Sequence, residues 1–304
     1  MISIPSFKNF LFINGFMFSI GFLEHYLSQS LNNTISIEFL IILSVFLLRN
    51  TLFIEFIQHH LKNKENIHPR FTKKEHYLES YPHEFALHIF SSTTVETITY
   101  LFIKYQMPQF QTQFQTQIQT QSHQHLITIS AKDILYFIPQ SFLFELVFDF
   151  FHYWTHRILH SNKFLYTHIH KKHHKFNYTI PILTFYHHPL DLVITNSIPQ
   201  IITLFIFPSI SLFQYNVILS YKTFIEISGH SGKKLHPIGS FSQFIWLPRF
   251  FNISLYSEDH ALHHSSNFCN YSKRFSLWDK QFETYTESIP PRMTETQIQK
   301  QETI

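Results

Sequence analysis

Apolar runs of near-membrane-spanning length constrain this chain more than any other feature of its sequence. They occupy residues 10–23, 37–56, 85–103 and 134–154 and are broken mostly by Ser, Thr and Asn. A helix needs about 20 such residues to cross a bilayer, where every backbone polar group must be bonded internally. A fifth stretch, residues 192–225, is too long for one ordinary crossing and carries Pro199 and Pro208. It is expected to enter and return as a helical hairpin broken at those prolines. Lys8 precedes the first run, and no small-residue cleavage site follows it, so that run is expected to be a retained anchor. Arg49 and Asn50 predict that the second span is tilted or ends near Leu48, while Glu96 weakens the third. Composition agrees with a membrane protein: Phe accounts for 36 of 304 residues and charged residues for only 14%.

Three histidine runs follow the fourth apolar segment or lie beyond it: His156 with His160; His170, His173 and His174; and His260, His263 and His264. Composition alone is a poor explanation for them, because 14 of the 23 histidines fall between His152 and His264 and two copies of His-x-x-His-His occur there. Eight imidazoles exceed the about six positions that one transition metal offers, so convergence would hold two ions. Residues three and four apart share a helix face, which predicts that each run presents its imidazoles as one cluster. Asp149, His152, His156 and His160 form a polar stripe by the same spacing. His230, His188 and His236 are further ligand candidates. Asp149, His152, Asp191, Glu226 and Asp259 are read as outer groups; the carboxylates either orient imidazole N–H groups or serve as helix caps and surface charges. His25, His59, His60, His68, His76, His83, His88, His123 and His125 are expected at the surface or the membrane interface.

The single cysteine, Cys269, excludes a disulfide framework, a thiolate zinc site and an iron–sulfur cluster. A formal charge of +3, poorly clustered with aromatics, gives no support for a nucleic-acid partner. Glycine is rare and no G-x-G-x-x-G occurs, so flavin and nicotinamide must bind elsewhere and electrons must come from a partner. Lys163, Lys171, Lys172 and Lys175 would suit an acidic donor, or equally an anionic membrane surface. The loop of residues 61–76 carries Lys62, Lys64, Arg70, Lys73 and Lys74, whereas residues 105–127 have no basic side chain except histidine. By the positive-inside rule the first loop is cytosolic, the second is not, and the histidine runs return to the cytosolic side.

The histidine runs and their surroundings resemble the fatty acid hydroxylase/sterol desaturase superfamily. Asp149-Phe-Phe-His-Tyr-Trp-Thr-His-Arg-Ile-Leu-His160 resembles its first histidine box, His170-Lys-Lys-His-His174 the second and His260-Ala-Leu-His-His264 the third. Tyr186 to Asp191, Glu226 to Gly232, and Asn270-Tyr271 followed by Trp278-Asp279 and Phe282-x-Thr284 are similar to further family elements. Asp191, Ser272 and Glu283 stand where the family carries Glu, a small residue and Gly. Among its members, the His-Pro-Leu-Asp segment is most like the C-4 methylsterol oxidases.

The resemblance implies an all-α integral membrane protein with about four to six embedded helices and a cytosolic histidine-rich cap in the endoplasmic reticulum membrane. It implies two iron ions, dioxygen as co-substrate and electrons from NAD(P)H through cytochrome b5 and its reductase. C-4 methyl sterol oxidation in sterol biosynthesis is the expected activity; sterol C-5 desaturation and fatty-acyl or sphingoid-base hydroxylation are alternatives. A zinc-carrying membrane protein fits less well, since its ligands would lie within the spans. The expected organisation is membrane spans in residues 1–105, a Gln/Thr-rich low-complexity loop at 106–127, a fatty acid hydroxylase-like catalytic domain at 128–288 and a disordered tail at 289–304.

Overall fold

A computed structural model describes residues 7–30, 34–67, 82–110, 129, 131–236 and 238–288. The Gln-rich run, the tail after residue 288, and His68, His76, His123 and His125 lie outside the described residues. Among the described residues the protein is helical and has no β-strand, only two isolated bridges. The main helices are α1 (Phe7–Ser30), α2 (Ile35–Leu61), α3 (Pro82–Gln106), α4 (Phe137–Ser161), α5 (Pro189–Ile206), α6 (Leu212–Gly229) and α7 (Ser257–Ser266). Of these, α1, α2 and α5 are long and apolar enough to cross a membrane. The protein is an all-α membrane protein.

Helix α6 is the hub of the bundle, packing along α1 and touching α2, α4 and α7, while α2 lies on α3 and α5 on α4. The core joins them through Met17, Phe46, Phe53, Phe144, Phe148 and Val217, all essentially inaccessible. The α1–α6 approach is close: a Cβ on Gly21 would stand 2.8 Å from Val217 Cα. Small residues allow helix backbones to meet in this way in membranes, where packing replaces the hydrophobic drive. On the outer faces Leu11, Phe12, Leu40, Leu48, Leu87 and Phe102 are exposed, an arrangement that is costly in water and neutral in lipid.

Arg49 and Asn50 do not end α2 near Leu48, one of the two outcomes that the sequence left open; the helix continues to Leu61. The guanidinium faces inward and donates to Glu24 at 3.1 Å and Glu96 at 2.7 Å, while Asn50 donates to Thr93 at 3.0 Å. Glu96, which seemed to weaken the third span, is thus the partner that makes Arg49 tolerable in the second. His25 is also displaced from its expected surface position. It is buried against α6, edge-on to Phe213 with ring centroids 5.5 Å apart. His59, His60 and His83 are exposed and His88 is half-buried.

The expected hairpin is α5 and α6, with a capping box at Ser211 and Gln214 starting its return arm. Pro208 lies in the turn, but Pro199 does not interrupt α5. A π-turn, Val193–Ser197, widens the helix just before it. Pro199 has no N–H for the carbonyl of Thr195, four residues earlier, and that oxygen instead accepts the Nδ1–H of His152 at 2.6 Å.

On the histidine side, the segment after α2 docks on the segment after α6. Ile67 N–H donates to Gly232 O at 2.9 Å and Lys234 N–H to Glu65 O at 2.8 Å. The start of the basic loop and the histidine cap therefore share one end of the bundle.

Candidate metal centre

The eight box histidines and His230 converge as two groups. His156, His160, His170, His174 and His263 form one; His173, His230, His260 and His264 form the other. Within each group the nearest ring nitrogens all lie within 4.8 Å of one another. His188 and His236 lie in neither group. His188 caps α5, accepting from Leu190 N at 3.2 Å, and exposed His236 packs its ring on Tyr256.

The expectation that each run forms one cluster is overturned for both His-x-x-His-His runs. His260 and His264 join the second group while His263 joins the first; His170 and His174 join the first while His173 joins the second. On α7 adjacent residues point about 100° apart, so His260 and His264 share a direction that His263 does not. Each run therefore spans both groups. The second run sits on a π-turn (Tyr166–His170) and a 3-10 turn (His173–Lys175) rather than on an α-helix.

Fixed acceptors set the tautomers. His156 Nδ1–H donates to Tyr271 O at 2.7 Å, His263 Nδ1–H to Cys269 O at 2.7 Å and His230 Nδ1–H to Glu226 O at 2.8 Å. His170 Nδ1–H donates to the Asp191 carboxylate at 2.9 Å. When neutral, each of these rings carries its lone pair on Nε2. Yet His156 Nε2 lies 3.1 Å from His170 Nε2, with lone pairs opposed and no proton available between them. The Nε2 of His263 is buried with no hydrogen-bond partner. Such an arrangement costs about 1–3 kcal/mol for each unsatisfied group unless a cation sits among the nitrogens.

Protonation is an unfavourable remedy. Burial, followed by neighbouring imidazoles, pulls His173, His174, His260 and His264 well below the usual histidine range. Burial also lowers His263 to about 3 and His230 to about 4. At neutral pH these are uncharged donors, the form that a metal requires.

Distances test the fit further. Metal–nitrogen bonds of about 2.1 Å put neighbouring donors about 3.0 Å apart at right angles, but about 3.4 Å apart in a tetrahedron. The Nε2 atom of His170 is 3.0 Å from those of His160 and His174, and that of His260 is 3.1 Å from His230 and 3.2 Å from His264. The spacing suits right-angled coordination with positions left open, rather than a closed tetrahedral site.

The outer groups divide. Asp191 faces an imidazole, as expected. Asp149 does not: its carboxylate accepts backbone N–H groups of Lys273, Arg274 and Phe275 at 2.7, 3.0 and 2.9 Å. The Glu226 carboxylate pairs with Lys222, Lys273 and Arg274, and only its backbone oxygen meets His230. Asp259 caps α7 through Tyr256 N–H and accepts from Ser288. His152 packs beside His156 with centroids 5.2 Å apart but belongs to neither group.

Sequence reading assigned no role to Asp279, whose carboxylate holds Tyr271 N–H and Ser272 N–H at 2.8 Å and so places the carbonyl that fixes His156. The Cys269 and Tyr271 carbonyls carry no side-chain signal. Glu283, where the family has Gly, adopts a positive φ of 58°, tolerated between paired Asp279 and Thr284. Lys175 is tied to the Tyr186 hydroxyl at 2.8 Å and lies 3.6 Å from Glu84. Replacing Asp191 with Ala is expected to weaken metal binding about 10–100-fold by freeing the His170 ring. Chelator competition on purified protein checks this, and Asp191→Glu should recover most of the affinity.

A cavity of about 50 Å³ opens beside the groups, with His152, His173, His187, Thr195, Asn196 and Lys273 in its lining.

Comparison with known proteins agrees with this geometry. The fatty acid hydroxylase family model matches residues 141–284. A Dictyostelium discoideum protein described as a methylsterol monooxygenase is 35% identical over 156 residues, covering 51% of this chain and 52% of that protein. Sphinganine C4-monooxygenase 2 of Arabidopsis thaliana is 29% identical over 165 residues, covering 52% and 58%. A Delta(7)-sterol 5(6)-desaturase of Gibberella zeae is 32% identical over 145 residues, covering 47% and 36%. The chain thus spans about half the length, or less, of these curated relatives. No solved structure matches it. Through the match at residues 141–284, whose limits enclose the three histidine boxes, the chain carries a fatty acid hydroxylase domain.

Proposed function

We propose that this protein is a membrane-bound, dioxygen-dependent di-iron oxidoreductase acting on a sterol, with oxidation of a C-4 methyl group in sterol biosynthesis as the reaction. The observation that carries the metal assignment is the pair of imidazole groups whose ring nitrogens approach one another at 3.0–3.2 Å, with His156 and His170 turning unprotonated Nε2 atoms toward each other when neutral. His156, His160, His170, His174 and His263 would hold one ion, and His173, His230, His260 and His264 the other. Iron bound there would supply dioxygen activation, which side chains alone do not perform.

The chain's own residues do the rest. Asp191, Tyr271 O, Cys269 O and Glu226 O hold imidazoles in their ligating tautomer. The bundle screens the reacting C–H bond from water, and the cavity beside the groups admits it. Electrons would come from NAD(P)H through cytochrome b5 and its reductase, docking near the basic residues that flank the second box. The histidine end would face the cytosol from the endoplasmic reticulum membrane, with the domain limits set out above.

The likeness to a sphinganine hydroxylase and a sterol desaturase supports two alternatives within the same chemistry. Lipid profiling of a strain lacking the chain separates them. A 4-methylsterol should accumulate; an unchanged sterol profile with missing hydroxylated sphingoid or acyl lipids would instead favour the hydroxylase, and a C-5-saturated sterol the desaturase. For topology, tags at Gln115 and Lys172 are expected on opposite sides of the membrane in protease-protection assays; accessibility from one side would refute this orientation.

A further inference from the structure

A second cavity, of about 40 Å³, lies inside the bundle and meets the histidine-side cavity at Thr184, His187, Leu192, Asn196 and Glu226. Its lining is polar for a membrane bundle, with Ser92, Glu96, Thr99, Ser197, Gln200 and Thr223 contributing. Most of these groups already have partners. Thr99 and Ser197 bond each other at 2.7 Å, and Ser92 donates to Phe185 O at 3.0 Å. Glu96 is held by Arg49, and Glu226 by Lys222, Lys273 and Arg274. Two neutral groups are left. Gln200, 5% exposed, accepts from Tyr215 at 3.0 Å through its amide oxygen, but no hydrogen bond is made by its amide nitrogen. His187, 9% exposed, has an unpartnered Nδ1.

We propose that this cavity receives a neutral hydroxyl of the lipid substrate, with Gln200 donating to the hydroxyl oxygen and His187 accepting its proton. The proposal rests on the oxygenase reading above and specifies its substrate class. Each carboxylate in the lining is already matched by cations, so a carboxylate or ammonium head would arrive without a counter-ion in a dry bundle. A hydroxyl offers one donor and two acceptor positions, which the two idle groups complement. The volume is enough for a small polar group, since a cavity of roughly 10–15 Å³ already holds a water molecule. His187 lies with its ring centroid 6.1 Å from that of His173, so the hydroxyl would sit close to the reacting carbon. That favours an alcohol oxidised beside its hydroxyl over an acyl chain oxidised far from its head.

The test is competition binding to purified full-length protein in phospholipid nanodiscs, reading displacement of a radiolabelled 4-methylsterol. The competitors are that sterol, its 3-O-methyl ether, a long-chain alcohol and its methyl ether, a fatty acid and a sphingoid base. The free alcohol is expected to bind about tenfold or more tightly than its ether, the effect of roughly one buried hydrogen bond. His187→Leu, which removes the acceptor for the one proton that the ether lacks, should bring the two within about twofold, whereas Gln200→Leu should weaken alcohol and ether about equally. Equal binding of alcohol and ether to the native chain overturns the proposal, as does preference for the acid or the amine. Because that comparison uses the native chain, it stands even if either variant does not fold. If the labelled sterol does not bind, a radiolabelled long-chain alcohol replaces it: displacement by the free alcohol but not by its ether would keep the hydroxyl site and overturn the sterol reading, and equal displacement by both would overturn the hydroxyl site as well.

Discussion

Replacing His160, His173 or His263 with Ala is expected to lower turnover at least about 1,000-fold while the protein still inserts in the membrane. Each side chain belongs to one of the two groups, and each deletion leaves that group with an incomplete ligand shell. The bundle core does not depend on these rings, since it is built from Met17, Phe53, Val217 and their neighbours. Product formation in membranes, with protease resistance of the spans as the folding control, checks both halves. Near-normal activity in any of the three variants would remove that histidine from the metal assignment.

Asp149→Ala is expected to have the largest effect on stability. Its carboxylate is the acceptor for three consecutive backbone N–H groups, from Lys273 to Phe275, in an inaccessible site. Each donor left without a partner costs about 1–3 kcal/mol, so the sum is comparable with the roughly 5–15 kcal/mol that holds a domain folded. The same segment carries Tyr271, whose carbonyl fixes His156. Accumulation in the membrane should fall sharply and metal content with it, whereas Asp149→Asn, which keeps one acceptor oxygen, should be milder. A normal yield of Asp149→Ala with intact metal binding would contradict this.

The helices and the convergence of the box histidines were legible in the sequence because hydrophobic length and imidazole spacing are local signals, although the runs at 85–103 and 134–154 form helices that do not meet the length and hydropathy of a span, as α1, α2 and α5 do. The division of the two His-x-x-His-His runs was not, since it depends on how three segments meet rather than on the face that one run presents. Arg49 left open whether its helix ended near Leu48 because its partners, Glu24 and Glu96, come from two other helices. Asp149 looked like an imidazole partner because a stripe of polar residues does not tell which backbone crosses it, and Glu226 because its segment, which carries His230, resembles a family element. His187 lies in a segment that resembles a family element, but nothing in the sequence gave it a role of its own; that comes from its place where two cavities meet.

Metal analysis of purified, active protein tests the central claim most directly. Two groups of five and four imidazoles predict about two iron ions per chain, and an Ala substitution confined to one group, such as His160→Ala or His230→Ala, should leave about one. One ion or none in repeated preparations of active native protein would contradict the two-site account.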